Sequence, residues 1–499
     1  MPRPPVLTPA LATALLLSAA PAARAAPPAP AAPQAQAPAS DPAQKPAAQK
    51  PSEDAPLAAP TPFQPQVSDP MLAPLPPAPR QVARWEEALG LLRERSTDER
   101  SAQAGVERAQ GRWQQALAPL LPNARLTAGV ASDLLHPDNP TLGTGNNTGT
   151  GVGVGTGTGG RTPTAPTGTA TVSLSQSLVD VGGWRGVSSA SAAQRSATAS
   201  LGDVRRRLTQ GLARSLVAVV AAERVAELNR LGLRQALERA QLTERTAQLG
   251  AATQLDVVRV RQDVEVARGT LISGDEQVLR TREALGLALG FDEQVGVQPA
   301  FALQGLEQQA RGQCSPLSSP AERQDLVAAR ENLDSARASR SQARAGYLPT
   351  LGLTSSLFGY TADPGFGRVA TWNIAAVLSV PIWEGGARAG LVRERAGLET
   401  QAAESLESTR RQVSFEVARA RRGVAVAESL LKSAREARAL AERTDQLTRR
   451  SFEIGRASSL ELVQTAAALR QADITLATRE FELVQARLDA VLTEATCNW

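Results

Sequence analysis

The feature that most restricts this chain is that it carries the same pattern twice. Residues Gln248–Val258 resemble Glu453–Val463, which puts Gly250 and Gly455 at an offset of 205 (455 − 250). Gly182-Gly183 and Gly385-Gly386 recur at 203 (385 − 182), and Leu121-Pro122 and Leu348-Pro349 at 227 (349 − 122). The larger offset has a visible cause. A Gly/Thr/Asn-rich run from Asp133 to Thr167 stands where the second copy has only Thr361 to Val369. Two copies of one unit account for nearly everything after Pro79.

Each copy has the same order of predicted elements. An amphipathic helix (about Val82–Leu120, then about Ala321–Gly346) ends at Leu-Pro, because the residue before proline disfavours helix. Alternating strands follow: Leu126, Ala128 and Val130, then Ala170, Val172 and Leu174. The second copy offers Leu351, Leu353 and Leu357, then Trp372, Ile374, Ala376, Leu378 and Val380. Such one-sided strands suit a membrane barrel and a soluble sandwich alike. Trp372 and Trp383 are available as interface anchors for the last strand.

After each Gly-Gly pair comes a very long helix, about Trp184–Gln248 and about Glu384–Phe452, each extending on the order of 100 Å. Gly250 and Gly455 break these helices, and a return helix follows. Its apolar or small residues recur at sevens: Val257, Val264, Leu271, Val278 and Leu285, matched by Leu462, Leu469, Leu476, Leu483 and Ala490. That is coiled-coil spacing. With aromatics at only 3%, helices packed through small residues are favoured over one thick core.

The N-terminus reads as a secretory signal over residues 1–25: Arg3, an apolar stretch from Leu11 to Ala20, and small residues around Ala23-Arg24-Ala25. Residues 26–79 are Pro/Ala/Gln-rich and read as a disordered leader or tether. The remaining units are 80–290 for the first copy, 291–320 for a linker, 321–492 for the second copy and 493–499 for a tail. No stretch after the signal is apolar enough for a membrane helix, and an exported chain of this kind either stays soluble or enters a membrane as strands. Cys314 and Cys497 lie outside the helical periodicity, and in an oxidising compartment a disulfide and two free thiols both remain open.

Little here points to chemistry. The net charge is +5, but the arginines are scattered among acids along helices, which is not the patch that binds nucleic acid. His136 is the single histidine, so a His-based triad or zinc cluster is excluded, and with two Met no soft-metal path is expected. The Gly-rich stretch Gly151–Gly160 lacks the Gly-Lys-Ser/Thr end of a phosphate loop. No cofactor and no catalytic residue are expected. Asp256 and Glu461 fall at matching positions six residues after each tip glycine, where an acid either stabilises a helix start or helps line a pore.

The order helix, Leu-Pro, hairpin, Gly-Gly, long helix, Gly turn, return helix, twice over, resembles the TolC-type outer-membrane factor (outer membrane efflux protein) family. The resemblance covers about Arg80 to Leu492. It rests on Leu348-Pro349-Thr350-Leu351, Val380-Pro381-Ile382-Trp383-Glu384-Gly385-Gly386, Arg323-Gln324-Asp325-Leu326 and the paired turn segments. It implies a mainly α protein with about four strands per protomer. The strands of a homotrimer would join in one outer-membrane barrel in lipid, and the coiled-coil helices would form a hollow α-barrel in the periplasm. It further implies a passive channel-tunnel for efflux or type I secretion, fed by an inner-membrane pump through a periplasmic adaptor (a membrane fusion protein). The adaptor would meet the tip at Gly250, Gly455, Leu249 and Ile454. Asp256 is similar to a family aspartate that latches the closed tip, and Glu461 to a pore-lining acid. Ala457 stands where a latching arginine would be, with Arg456 one residue earlier, and Gln464 where a second acidic ring would be. The pore-gate candidates are therefore Asp256, Glu461 and Arg456. The competing reading is a periplasmic coiled-coil adaptor or scaffold without a pore, which should carry one hairpin flanked by compact β-domains.

Overall fold

The computed structural model describes residues 65–131, 167–299, 301, 303–360, 370–454, 456–497 and 499. The expectations for the signal, for most of the Pro/Ala-rich extension, for His136, for the Gly151–Gly160 run and for Gly455 lie outside these residues. The first copy comprises α1 (Trp85–Arg95), α2 (Thr97–Leu117), β2 (Asn123–Ala131), β3 (Thr167–Val179), α3 (Val181–Gln248) and α4 (Gln254–Leu289). The second comprises α6 (Gln324–Ala345), β6 (Thr350–Tyr360), β7 (Ala370–Ser379), α7 (Ala387–Glu453) and α8 (Ser459–Thr493). The short pieces β1 (Arg80–Val82), β4 (Val295–Val297), α5 (Leu306–Gln313), β5 (Cys314–Pro316) and β8 (Ala495–Cys497) belong to the chain ends and the linker. No described helix is long and apolar enough to cross a membrane.

Two local expectations change. The single helix expected over Val82–Leu120 is split at Ser96, whose hydroxyl accepts from the Glu99 amide at 3.2 Å and caps a new helix. The two Gly-Gly pairs also play different parts. In the second copy Gly385 and Gly386 sit at φ 60° and 86°, a true turn that only glycine takes readily. In the first copy the pair lies inside the first turn of α3, which starts earlier than Trp184 because the Asp180 carboxylate accepts from the Gly183 amide at 2.8 Å. A Cβ on Gly183 would stand 2.7 Å from Leu120 Cδ2, so glycine there serves close packing.

β2, β3, β6 and β7 form one antiparallel sheet in that order, so each copy's hairpin stays together and the two copies join at the β3–β6 contact. The register lines up one apolar row across all four strands: Leu126 opposite Val172, Val172 opposite Leu357, Leu357 opposite Trp372. The neighbouring row on the other face is polar: Arg125, Ser173, Ser356 and Asn373. A side-chain period of two requires this separation once the register is set. Yet nothing among the described residues covers the apolar face. Leu126 is 69% exposed, Trp372 71% and Ile374 63%.

The largest core sits at a waist partway along the long helices. Trp85, Leu89 and Leu92 of α1 pack with Leu212 and Leu216 of α3, Leu285 and Leu289 of α4, and Leu488 and Leu492 of α8. Here β1 pairs parallel with β4, and β5 pairs antiparallel with β8. Cys314 and Cys497 face each other in that second pairing and are joined as a disulfide. The C-terminal tail is packed as well, with Trp499 Nε1 donating to Thr209 Oγ1 at 2.9 Å.

The extension expected to remain unpacked to Pro79 is corrected from Pro65 onward. Met71 and Leu72 pack against the cluster of Leu233, Ala236 and Leu271, and Leu75 against Ala222, Ala226 and Val278. Gln241 Nε2 donates to the Gln66 carbonyl at 3.2 Å, Arg230 to that of Ala73 at 3.3 Å and Arg282 to that of Pro76 at 2.9 Å. Arg268 pairs with Asp69 at 2.9 Å. The composition misleads because prolines keep an arm out of helix and sheet without keeping it off a surface. Its free carbonyls are what the arginines of α3 and α4 reach.

Two outcomes follow. The disulfide closes a loop of 183 residues spanning the whole second copy, worth about 5 kcal/mol in the chain-entropy account. Cys314→Ser with Cys497→Ser is expected to lower the thermal midpoint of the detergent-extracted protein markedly, and an unchanged midpoint refutes that role. Deleting residues 26–63 should leave the midpoint unchanged, whereas deleting 26–76 should lower it. Equal midpoints would show that the arm contributes nothing.

Candidate functional site: the hairpin tips

The two hairpin tips are built alike. Gly250 sits at φ 78°, and the Ala251 amide bonds back to the Thr246 carbonyl at 2.9 Å. In the second copy the Arg456 amide bonds to the Ser451 carbonyl at 2.8 Å, the same bond displaced by 205 (456 − 251). Each return helix then opens with a capping box. Thr253 Oγ1 accepts from the Asp256 amide at 3.2 Å, and Asp256 returns a carboxylate oxygen to the Thr253 amide at 3.0 Å. Ser458 and Glu461 do the same at 3.2 and 3.0 Å. Both acids therefore stabilise helix starts, satisfying amides that a helix end leaves unpaired.

One acid does more. The hydroxyl of Ser459, the first residue of α8, donates to Asp256 Oδ1 across 203 positions of sequence. Asp256 thus ties the first tip to the second, with Arg259 Nη1 at 3.8 Å on the same carboxylate. The Ser459 bond, then the Thr253 hydroxyl and amide, hold the Asp256 carboxyl below its ordinary value and outweigh the opposing effect of burial. Deeper in the hairpins, Asp263 of α4 accepts from Arg239 of α3 at 2.7 Å and from Arg470 of α8 at 3.5 Å. The Arg470 side chain crosses over Gly232, where a Cβ would lie 2.5 Å from its Cδ.

The structure separates the remaining candidates. Glu461 is exposed and makes only its own cap. Arg456 is exposed and forms no ion pair among the described residues, so it does not join Asp256. Leu249 and Ile454, at matched positions, are 70% and 67% exposed. Sequence reasoning did not single out a second matched pair of exposed side chains, Leu255 and Leu460, two residues before the heptad residues Val257 and Leu462 and so on the outer face of the coil. It also missed Ser459. The only available signal was a second hydroxyl beside the Ser458 cap. Among the described residues no group of three or more His, Cys, Asp or Glu could hold a metal ion.

A profile of the outer membrane efflux protein family matches residues 88–291 and 318–492, which is both copies and most of the chain. The chain belongs to the outer membrane efflux protein family. Among solved structures it is similar to the outer membrane protein VceC from Vibrio cholerae. The TM-score is 0.67 at 15% identity, covering 82% of this chain and 95% of that one. The Campylobacter jejuni CmeC outer membrane channel gives 0.67 at 15% identity, covering 82% and 84%. The Neisseria gonorrhoeae MtrE outer membrane channel in its open state gives 0.62 at 16% identity, covering 86% and 97%. Among curated proteins no relative matches. As a family member the chain is an outer-membrane protein, long-helical with a small β part, and its two strand-interrupted hairpins differ from the single hairpin expected of an adaptor.

The cross-tip bond gives a direct expectation. A hydrogen bond to a charged group contributes about 1.5–3 kcal/mol, so Ser459→Ala should speed amide exchange at the tips by at least about tenfold. Unchanged exchange would deny the link. Because the Asp256 value is lowered by folding, its contribution is present above the ordinary carboxylate range and is lost as pH falls through the folded value. Protection of the tips should therefore hold at neutral pH and fail only below about pH 4.

Proposed function

We propose that three copies of this chain assemble into one outer-membrane duct that passively conducts substrates delivered by an inner-membrane pump through a periplasmic adaptor. The observation that carries this reading is the uncovered, in-register apolar face of the β2–β3–β6–β7 sheet. In lipid such a face is favourable, but β2 and β7 each pair on one side only among the described residues. Unpaired backbone groups are not tolerated in hydrocarbon, so the edges must meet other copies until the sheet closes. Four strands are too few for a closed barrel alone, and three copies reach a size that leaves an aqueous lumen.

The tips supply the gate. Closed, Asp256 and Ser459 hold the two hairpins of each copy together, and Glu461 adds an exposed carboxylate near the opening. Carboxylates repeated by symmetry favour cations. The exposed pairs Leu249/Ile454 and Leu255/Leu460 offer the adaptor an apolar rim. No bond is made or broken in this reading, and energy enters from the pump.

Discrete conductance steps are expected from detergent-extracted protein in a planar bilayer. The cation preference should be weaker in Asp256→Ala/Glu461→Ala. A protein that washes from membranes in carbonate and gives no steps would overturn the duct. Leu249→Asp with Ile454→Asp should abolish export in cells while leaving conductance intact, and normal export would remove the adaptor rim.

A further inference from the structure

A large cavity lies away from both the sheet and the tips. It measures about 1220 Å³ and opens at the waist between α3, α6, α7 and α8, where α8 ends near Thr493 and α6 begins beside Arg323. Its lining is charged, and the charges are layered. All four acids are engaged; Asp203, Asp325 and Asp489 are recessed, while Glu416 stands 41% exposed over the buried Arg323. Asp203, 2% exposed, accepts from Arg206 at 2.7 Å and also from Arg207. Asp325 and Glu416 share Arg323, the latter at 2.7 Å, and Asp489 takes Arg214 and Gln210, both at 2.9 Å. Two of the paired arginines reach further out, whereas Arg206 and Arg323 are buried. Arg207 and Arg214 are 67% and 50% exposed, each well beyond the acid it pairs with. Arg419 is exposed on the same cavity and has no acidic partner among the described residues. Arg323 is 2% exposed, and its Nη1 has no acceptor.

Such an arrangement does not suit a cation, because every carboxylate facing the space is spent on a guanidinium. It presents donors outward, in planar forks that match oxyanion geometry. A buried guanidinium nitrogen without an acceptor is a second sign, since buried donors are nearly always satisfied. We propose that this waist cavity is a binding site for a multiply charged oxyanion, gripped by Arg207, Arg214 and Arg419 above the Arg323 network. The site belongs to a single copy of the chain, and its occupancy does not depend on whether the protein conducts.

Calorimetric titration of the detergent-extracted full chain with inorganic tripolyphosphate at low salt tests this, and it reads binding without any transport. Saturable binding is expected, weakening as salt rises. In Arg207→Gln/Arg419→Gln the dissociation constant should rise at least tenfold. Arg261→Gln/Arg280→Gln removes equal charge from two sites that are also 67% exposed, and it should shift binding by less than about twofold. Absence of saturable binding, or equal weakening in the two variants, overturns the site.

Discussion

A sheet with one apolar face must put that face against something, and the described residues supply nothing to cover it. Leu126, Val172, Leu357 and Trp372 form a continuous row in register, while both helix systems pack elsewhere. Lipid resolves the exposed face but makes the edges of β2 and β7 more costly, because hydrocarbon offers their amides no partner. Closure with further copies answers both demands. The rest of the architecture is compatible with that one: long helices continuing from the strands, and no described helix of membrane character.

The waist is what lets two such long helices behave as one body. α3 runs for 68 residues and α7 for 67, far beyond the length that helix propensity alone stabilises with certainty of position. Partway along them, the linker, β1 with α1, and the C-terminal tail converge on one core, and the Cys314–Cys497 bond pins linker to tail. The shorter helices α6 and α8 both pack on α3 and α7 and both line the space there. That space is the charged cavity.

Duplication gives the tips equal chemistry and unequal jobs. Both return helices begin with a hydroxyl and an acid three residues apart, and both acids complete capping boxes. Only Asp256 reaches its neighbour, because Ser459 of the second copy stands beside it, whereas Glu461 points to no such partner. The inequality arises from packing one hairpin beside the other, not from either hairpin alone.

Much of this protein was legible from residues in order. The repeat offsets located both hairpins, Leu-Pro ended the helices before the strands, and alternation assigned the apolar strand positions, since these signals act within a few residues of chain. The capping acids were legible for the same reason. Contacts between distant segments were not. Spacing could not decide between paired and free Cys314 and Cys497. Proline-rich composition hid an arm held by arginine donors. Each of those depends on which surfaces meet across some two hundred residues of chain, as Asp256 and Ser459 do at 203 positions apart. Local sequence specifies what a segment can form, and only the packed chain determines what lies against it.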